Sequence, residues 1–399
     1  MKKIRTVVCG LGGRGISMIP LIEEIEETQV VAVCDKSEKS IENYRASVEK
    51  KECGDYPIFR SFEECLEKMK PDAVYIATSW ENHLEECMTA MKKNVAVACE
   101  VGGGYSIESA WDLVKCYEKT KTPIMFMENC CYGETELLAL NMKRKGVLGE
   151  IVHCEGGYRH DLRAEIIRGA DGSHYRFMQY KSRNCENYPT HEIGPIAKLL
   201  DINCGNRFES IYSVASKSAG LKEYIKLIGK TDLNDIEFKQ GDVITSVIKC
   251  ANGETITITL DTTVPRYYSR GFLVEGTKGI ISEDTDAVYL QEDVEKSHRR
   301  KDYLGSKEKY RERYGHPLWK SLVKTDVHGG IDHITVSEFF KALSSGKKMP
   351  IDVYDMATWI TISALSEQSV ATGQAVAFPD FTNGRWVTVE NKFLSEYDD

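Results

Sequence analysis

From residue 4 to residue 129, short apolar and β-branched runs alternate with stretches whose apolar positions recur every three or four residues. The runs IRTVVCG, VVAVCD, a weak YPIF, DAVYIAT, NVAVACE and PIMFMEN predict six strands. Between them SFEECLEKMK, WENHLEECMTAMKK and SIESAWDLVKCYEKT predict amphipathic helices, the last opened by Ser106 as N-cap. Alternation of this kind dictates a parallel sheet with helices on both faces. After residue 130 the rhythm changes to one helix, ETELLALNMKRKG, followed by long alternating strands such as VITSVIKCANGETITITLDTT, where Asn252-Gly253 signals a hairpin turn. The expectation is an α/β protein. An N-terminal doubly wound Rossmann domain fills 1–129, and an α+β domain with a mainly antiparallel open sheet fills 130–399. Its last helix, VYDMATWITISALSEQSVATG, is apolar on a broad face and is expected to pack on the protein body.

Length and composition narrow the classes. A chain of 399 residues exceeds the roughly 250–300 that one hydrophobic core supports, which agrees with two domains. The net charge of −9 gives no basic footprint for nucleic acid, and no stretch approaches the ~20 apolar residues of a membrane span. Neither is expected as a partner. The thirteen cysteines lack metal-finger spacing and several fall inside apolar elements (Cys9, Cys34, Cys99), so they read as reduced core thiols of a cytoplasmic protein. Cys130-Cys131 has no companion ligands and is assigned to packing; no metal is expected. MKKIRTVVCG reads as a first strand, not an export signal. The charge-dense stretch 291–315 reads as a solvated helix or surface excursion.

Candidate chemistry begins at Gly10-Leu11-Gly12-Gly13-Arg14-Gly15, which follows a strand and opens a helix inside a βαβ unit. Glycines there permit a tight turn and close backbone approach, and the helix N-terminus attracts a pyrophosphate. Asp35 ends the second strand, twenty residues after Gly15, where a carboxylate accepts hydrogen bonds from ribose hydroxyls and repels a 2′-phosphate. The cofactor is therefore expected to be NAD rather than NADP. Glu100 closes the fifth strand, on the edge where such sheets bind ligands, within "ACEVGGG".

With that fingerprint and the α+β half that follows, the chain resembles the Gfo/Idh/MocA oxidoreductases. In that superfamily the corresponding strand ends Glu-Lys-Pro, and a later Asp-x-Gly-x-His adds active-site groups. Here Val101 and Gly102 replace the lysine and proline, while Asn187 and Pro189 replace the Asp and Gly of the second motif, leaving His191. The segments MENCCYGETELLALNMKRKGVLGEIVHCEGGYRHDLR, SRNCENYPTHEIGPIAKLLDIN, TTVPRYYSRGFLVEGTKG, HGGIDH and FPDFTNGRW look like one branch, the NAD-dependent alpha-N-acetylgalactosaminidases of glycoside hydrolase family 109. The resemblance implies NAD contacts at Gly13, Arg14, Asp35, Trp80, His83, Glu100, Val101 and Asn129, beside Gly10, Gly12 and Gly15. It implies a small-molecule glycoside bound by Tyr158, Arg176, Tyr188, Pro189, Thr190, His191 and Tyr268. The chain departs from the branch at Asn82, Gly102 and Glu192, where a second tryptophan, a proline and a glycine are usual. A homo-oligomer, dimer or tetramer, is expected by the same resemblance.

Most glycosidases use two carboxylates, and NAD-dependent ones are an exception. The resemblance implies that the sugar gives hydride from C3 to NAD⁺, loses the acidified C2 proton, eliminates its C1 substituent, adds water and regains the hydride. The proton-transfer groups on offer are Tyr158, Tyr188, Tyr268 and His191, with no lysine beside Glu100; Tyr158 or Tyr268 is expected to work at C2 and C1. His191, with an ordinary pKa near ~6.5, suits the C3 hydroxyl. A tyrosinate needs neighbouring positive charge, which Arg176 and the nicotinamide ring supply. Read singly, Tyr-Pro-Thr-His is equally turn and cap chemistry at a helix start. Tyr268 alone reads as a pleat-facing aromatic in a strand, and His328 equally as a pocket-lining group or a loop histidine at a helix entry. The competing functions are a sugar or inositol dehydrogenase that releases NADH and a silent NAD-binding sugar sensor.

Overall fold

The computed structural model describes residues 3–172, 174–293, 297–320 and 328–397. The chain divides into two compact units. Among the described residues the first holds 3–129, 328–358 and 392–394, and the second holds the rest.

The first unit is built on six strands: β1 (Ile4–Cys9), β2 (Thr28–Cys34), β3 (Ile58–Phe59), β4 (Ala73–Ile76), β5 (Ala96–Cys99) and β6 (Ile124–Phe126). They lie in the order β3-β2-β1-β4-β5-β6, and every neighbouring pair is parallel. All residues of β4, β5 and β6 are buried, as a sheet covered on both faces requires. The order reverses between β1 and β4. That switch point opens a crevice beyond the carboxyl ends of the strands, toward which the fingerprint loop and Glu100 both lead. Helices cross over at Gly13–Glu23, Glu38–Glu49, Phe62–Met69, His83–Lys92 and Ile107–Thr120. The last is capped as its sequence predicts, with the Ser106 hydroxyl accepting from Ser109 N–H at 3.1 Å.

The second unit holds β7 (Ile151–Arg159), β8 (Phe208–Ala215), β9 (Val243–Cys250), β10 (Thr255–Asp261), β11 (Leu273–Gly276), β12 (Gly279–Ser282), β13 (Ala287–Leu290) and β14 (Val376–Ala377). Their order is β13-β12-β11-β7-β10-β9-β8-β14. Only the β7–β10 pair is parallel; the other neighbours are antiparallel. Period-two patterning sorts the faces. Ile211 pairs with Ile248 and Ile258 with Ser246 on the buried side, while Tyr212, Val247 and Thr257 line up on the other, where Tyr212 and Val247 are each 44% exposed. Gly253 (φ +106°) closes the β9–β10 hairpin, donating to Cys250 O at 3.1 Å. Helix Thr190–Leu199 lies against β7 so closely that a Cβ on Gly156 would meet Glu192 Cβ at 2.7 Å.

Two expectations change in detail. Tyr268 stands outside any strand, in the connection from β10 to β11. Pro265 lacks an N–H for a ladder there, and pairing with Arg159 resumes only at the isolated bridge formed by Ser269. In the charged stretch, helix Lys307–Tyr314 turns Lys307, Tyr310 and Tyr314 inward and leaves its other charges outside; residues 294–296 lie outside the described residues. The closing helix runs Val353–Thr372, with Trp359, Ile362 and Leu365 fully buried. The thirteen cysteines form no disulfide.

Candidate active site

The fingerprint turn has the shape its glycines imply. Gly10 sits at φ +94°, and a Cβ there would meet the Ala77 carbonyl at 2.5 Å; one on Gly15 would meet Gly10 O at 1.8 Å. Strand and helix could not approach as they do with larger residues. Gly12 and Gly13 are different, since a Cβ on either would project into open space. Gly12 is also the N-cap of helix Gly13–Glu23 and offers no side chain, so the first-turn N–H groups have no cap from it. This is a free cradle for a phosphate. Asp35 lies beside it, its Oδ2 accepting from Leu11 N–H at 2.7 Å and its Oδ1 from Ser37 N–H at 2.8 Å. Those bonds aim a carboxylate at the place where a ribose belongs.

Along the same carboxyl edge, Trp80 and His83 are buried, and their packing accounts for the glycines after Val101. Gly102 has φ +106°, and a Cβ on it would stand 2.3 Å from Trp80 Cδ1; one on Gly103 (φ +93°) would stand 2.9 Å from Trp80 O and 3.3 Å from His83 Cβ. His83 Nε2 donates to Thr78 O at 2.9 Å, and burial lowers its pKa, so the ring is held neutral.

Glu100 and Arg14 form the charged part of this edge. Arg14 Nε reaches Glu100 Oε1 at 2.7 Å, and the Tyr75 hydroxyl donates to the same oxygen. The rest of the guanidinium clasps Asp332 from helix Ile331–Ser345, at 2.7 and 2.8 Å, and Asn129 Nδ2 donates to Asp332 Oδ1 at 2.7 Å. Burial disfavours charge on Arg14, but Glu100, Tyr75 and Asp332 outweigh it and hold its pKa above the ordinary value. Val101 is buried beside them and carries no titratable group.

The second unit gathers the other predicted residues. Tyr158, on β7, has its ring centroid 4.5 Å from that of Tyr188, 5.6 Å from His191 and 6.4 Å from Tyr268. Tyr188 OH lies 3.3 Å from His191 Nε2. Pro189 and Thr190 open helix Thr190–Leu199, which delivers His191 in its first turn. Arg176 is buried with its guanidinium 5.0 Å from the Tyr188 ring centre and its Nε 2.8 Å from Glu165. Burial pushes the Tyr158 pKa up while Arg176 and His191 pull it back; Tyr268, though about half exposed, is raised as well by the burial it has and by neighbouring Cys130. Both phenols are therefore protonated in the protein by itself.

The sequence reading missed two residues. His160, two positions after Tyr158 and just past the end of β7, places Nδ1 3.2 Å from Tyr158 OH and its ring 5.1 Å from that of Tyr268. Burial lowers its pKa, which keeps the ring in its neutral form at neutral pH. The i, i+2 spacing of Tyr-Arg-His at the end of an alternating run was the available signal. Asp332 was the other: it falls in the HGGIDH segment, but nothing in that segment names its distant partners. Glu192, where glycine is usual in the resembling branch, is buried against Gly156.

Comparison with known proteins agrees with this geometry. Residues 4–127 match the model of the oxidoreductase family, NAD-binding Rossmann fold, and residues 132–388 match that of the glycosyl hydrolase 109 C-terminal domain. The chain is 37% identical to a glycosyl hydrolase family 109 protein of Stenotrophomonas maltophilia, over 96% of this chain and 90% of that one. It is likewise 37% identical to an alpha-N-acetylgalactosaminidase of Tannerella forsythia, over 95% and 86%. Among solved structures, myo-inositol 2-dehydrogenase of Lactobacillus plantarum superposes with a TM-score of 0.68 at 17% identity, covering 95% of this chain and all of that one. Scyllo-inositol dehydrogenase of Lactobacillus casei, solved with NAD(H) and scyllo-inositol, gives 0.68 at 13%, covering 94% and 99%. These two share the fold. NAD is the cofactor of the first unit, and the chain belongs to glycosyl hydrolase family 109.

Proposed function

We propose that the protein hydrolyses alpha-N-acetylgalactosaminides, or closely similar glycosides, by oxidation, elimination, hydration and reduction, with no net NADH. The observation that carries this reading is the cluster of Tyr158, His160, Tyr188 and His191 in a chain with Val101 after Glu100: proton-transfer groups abound, and none is a lysine at the strand end. NAD, when bound, supplies a reversible hydride acceptor for C3 of the sugar.

Each protein group then has a chemical task. His191 takes the C3 hydroxyl proton. The ketone so formed acidifies C2–H, and Tyr158 removes that proton while passing its own to His160 Nδ1. This exchange avoids a free tyrosinate, which the buried position of Tyr158 opposes. The C2–H electron pair becomes the C1–C2 double bond, the C1–O bond breaks, and Tyr268 protonates the departing oxygen. Tyr268 then recovers its proton from a water whose oxygen adds to C1, Tyr158 delivers a proton to C2 while regaining its own from His160, and His191 returns its proton to the C3 oxygen as the ketone is reduced. Arg176 supports the negative charge that develops on the oxygen at C3 during proton removal.

Two accompanying inferences concern setting. The side of the second sheet bearing Tyr212, Val214 and Val247 is suited to a second copy of the chain, giving a homo-oligomer. Thirteen cysteines without a disulfide fit a reducing, cytoplasmic compartment. Among the described residues, no helix is long and apolar enough to cross a membrane.

The test is a chromogenic alpha-N-acetylgalactosaminide incubated with protein and catalytic NAD⁺ while aglycone and NADH are followed together. Aglycone without net NADH, with solvent deuterium appearing at C2 of the product, is the expected result. Stoichiometric NADH without aglycone identifies a dehydrogenase and ends the proposal.

A further inference from the structure

We propose that Asp332 is a positioning residue for the cofactor: by fixing Arg14 and Asn129 directly, and Glu100 through Arg14, it sets the affinity for NAD. The inference rests on the reading of Arg14, Glu100 and Asn129 as NAD contacts, but not on the glycosidase chemistry. Arg14 begins the first crossover helix, Glu100 ends β5 and Asn129 follows β6, so three separate elements converge on one point of the first unit.

The side chain of Asp332 is fully buried, and its two oxygens accept from four donors. Oδ1 takes Arg14 Nη2 at 2.8 Å and Asn129 Nδ2 at 2.7 Å, while Oδ2 takes Arg14 Nη1 and His328 Nδ1, each at 2.7 Å. The bidentate clasp holds the plane of the guanidinium, and Glu100 holds its remaining Nε–H. Rotation of the Arg14 side chain would break several charge-assisted bonds together. A side chain locked in this way need not be ordered when a ligand binds, which is how preorganisation raises affinity.

The backbone ahead of Asp332 is shaped for the same bond. His328, Gly329 and Gly330 all lie at positive φ, +47°, +67° and +101°, so the chain doubles back and the His328 ring reaches the carboxylate four residues on. Glycine adopts such angles freely, whereas His328 is strained there and gains this hydrogen bond in return. The pattern His-Gly-Gly-Ile-Asp thus encodes a clamp on a carboxylate 318 residues from its arginine.

The experiment is calorimetric titration of NAD⁺ into the full-length protein and into Arg14→Gln, Asp332→Asn and the double variant, with circular dichroism and apo melting temperatures measured in parallel. Asp332→Asn should weaken NAD⁺ binding roughly tenfold, the scale for losing an outer partner of a ligand-holding group. The double variant should bind less weakly than the sum of the two single effects predicts, because the aspartate's hold on Arg14 and Glu100 is already lost with the arginine and only its bond to Asn129 remains to be removed. A purely structural role would lower the melting temperature without this coupling in affinity. If Arg14→Gln weakens binding and folded Asp332→Asn does not, or if the two effects add, the proposal is overturned and the cofactor reading stands. If neither variant weakens binding, the cofactor reading fails and the proposal falls with it. Should Asp332→Asn not fold, His328→Ala, whose ring is largely exposed, replaces it. A few-fold weakening supports the clamp, and unchanged affinity overturns it.

Discussion

Replacing Gly102 with alanine tests the cofactor edge most sharply, because conformation and contact both oppose the new methyl. At φ +106° an L-residue carries about 1–3 kcal/mol of backbone strain. The Cβ would also stand 2.3 Å from Trp80 Cδ1 and Nε1, a distance no packed pair adopts, so the buried indole must move. Overpacking of that kind costs a further ~1–3 kcal/mol. Together these amount to roughly 2–6 kcal/mol, or a fall of about 5–15 °C in the melting temperature for a unit of this size. Gly12→Ala is the control. Its φ of −69° suits alanine, nothing lies within 4 Å of the new Cβ, and apo stability should hold or rise by about 0.4–1 kcal/mol. Differential scanning calorimetry without cofactor, followed by NAD⁺ titration, separates the two. Gly102→Ala should melt early; Gly12→Ala should melt normally yet bind NAD⁺ poorly, since its methyl occupies the phosphate cradle. An unchanged melting temperature for Gly102→Ala would falsify the packing argument, and unchanged NAD⁺ affinity for Gly12→Ala would remove the cradle.

Other outcomes follow from the same geometry. His160→Gln should cut aglycone release by about 10²–10³-fold with NAD⁺ affinity intact, the usual scale for a lost proton-transfer partner; a smaller loss in single-turnover measurements removes His160 from the relay. Because burial lowers its pKa, His160 should stay neutral below the ordinary ~6.5, so activity falls only as pH drops through that lowered value, and the variant should lose this acid limb. His83, also lowered by burial, binds a proton less readily folded than unfolded. Stability should therefore decline as pH falls below about 6.5 and go on declining until the folded-state pKa is passed, and His83→Gln should flatten that slope in denaturant titrations across the range. Val101→Lys should not improve glycoside cleavage; faster aglycone release would return proton transfer to the strand end.

Local pattern determined much of this protein. Strand and helix period, the Gly10 to Gly15 turn with Asp35 after it, the Ser106 cap and the Asn252-Gly253 hairpin are set by neighbours within a few residues, so the sequence alone announces them. Motif order carried the family and the Tyr158, Arg176, Tyr188 and His191 set. Tertiary structure decided what depends on distant partners. Gly102 and Gly103 are required because Trp80 and His83 pack on them, which no property of "VGGG" reveals. Tyr268 leaves the strand because pairing with β7, which lies far away in the chain, resumes only at Ser269. His160 became visible when the chain leaving β7 set its ring beside Tyr158. Asp332 gained its meaning from an arginine at the other end of the chain: a buried carboxylate must find donors, and only the fold determines which donors are near.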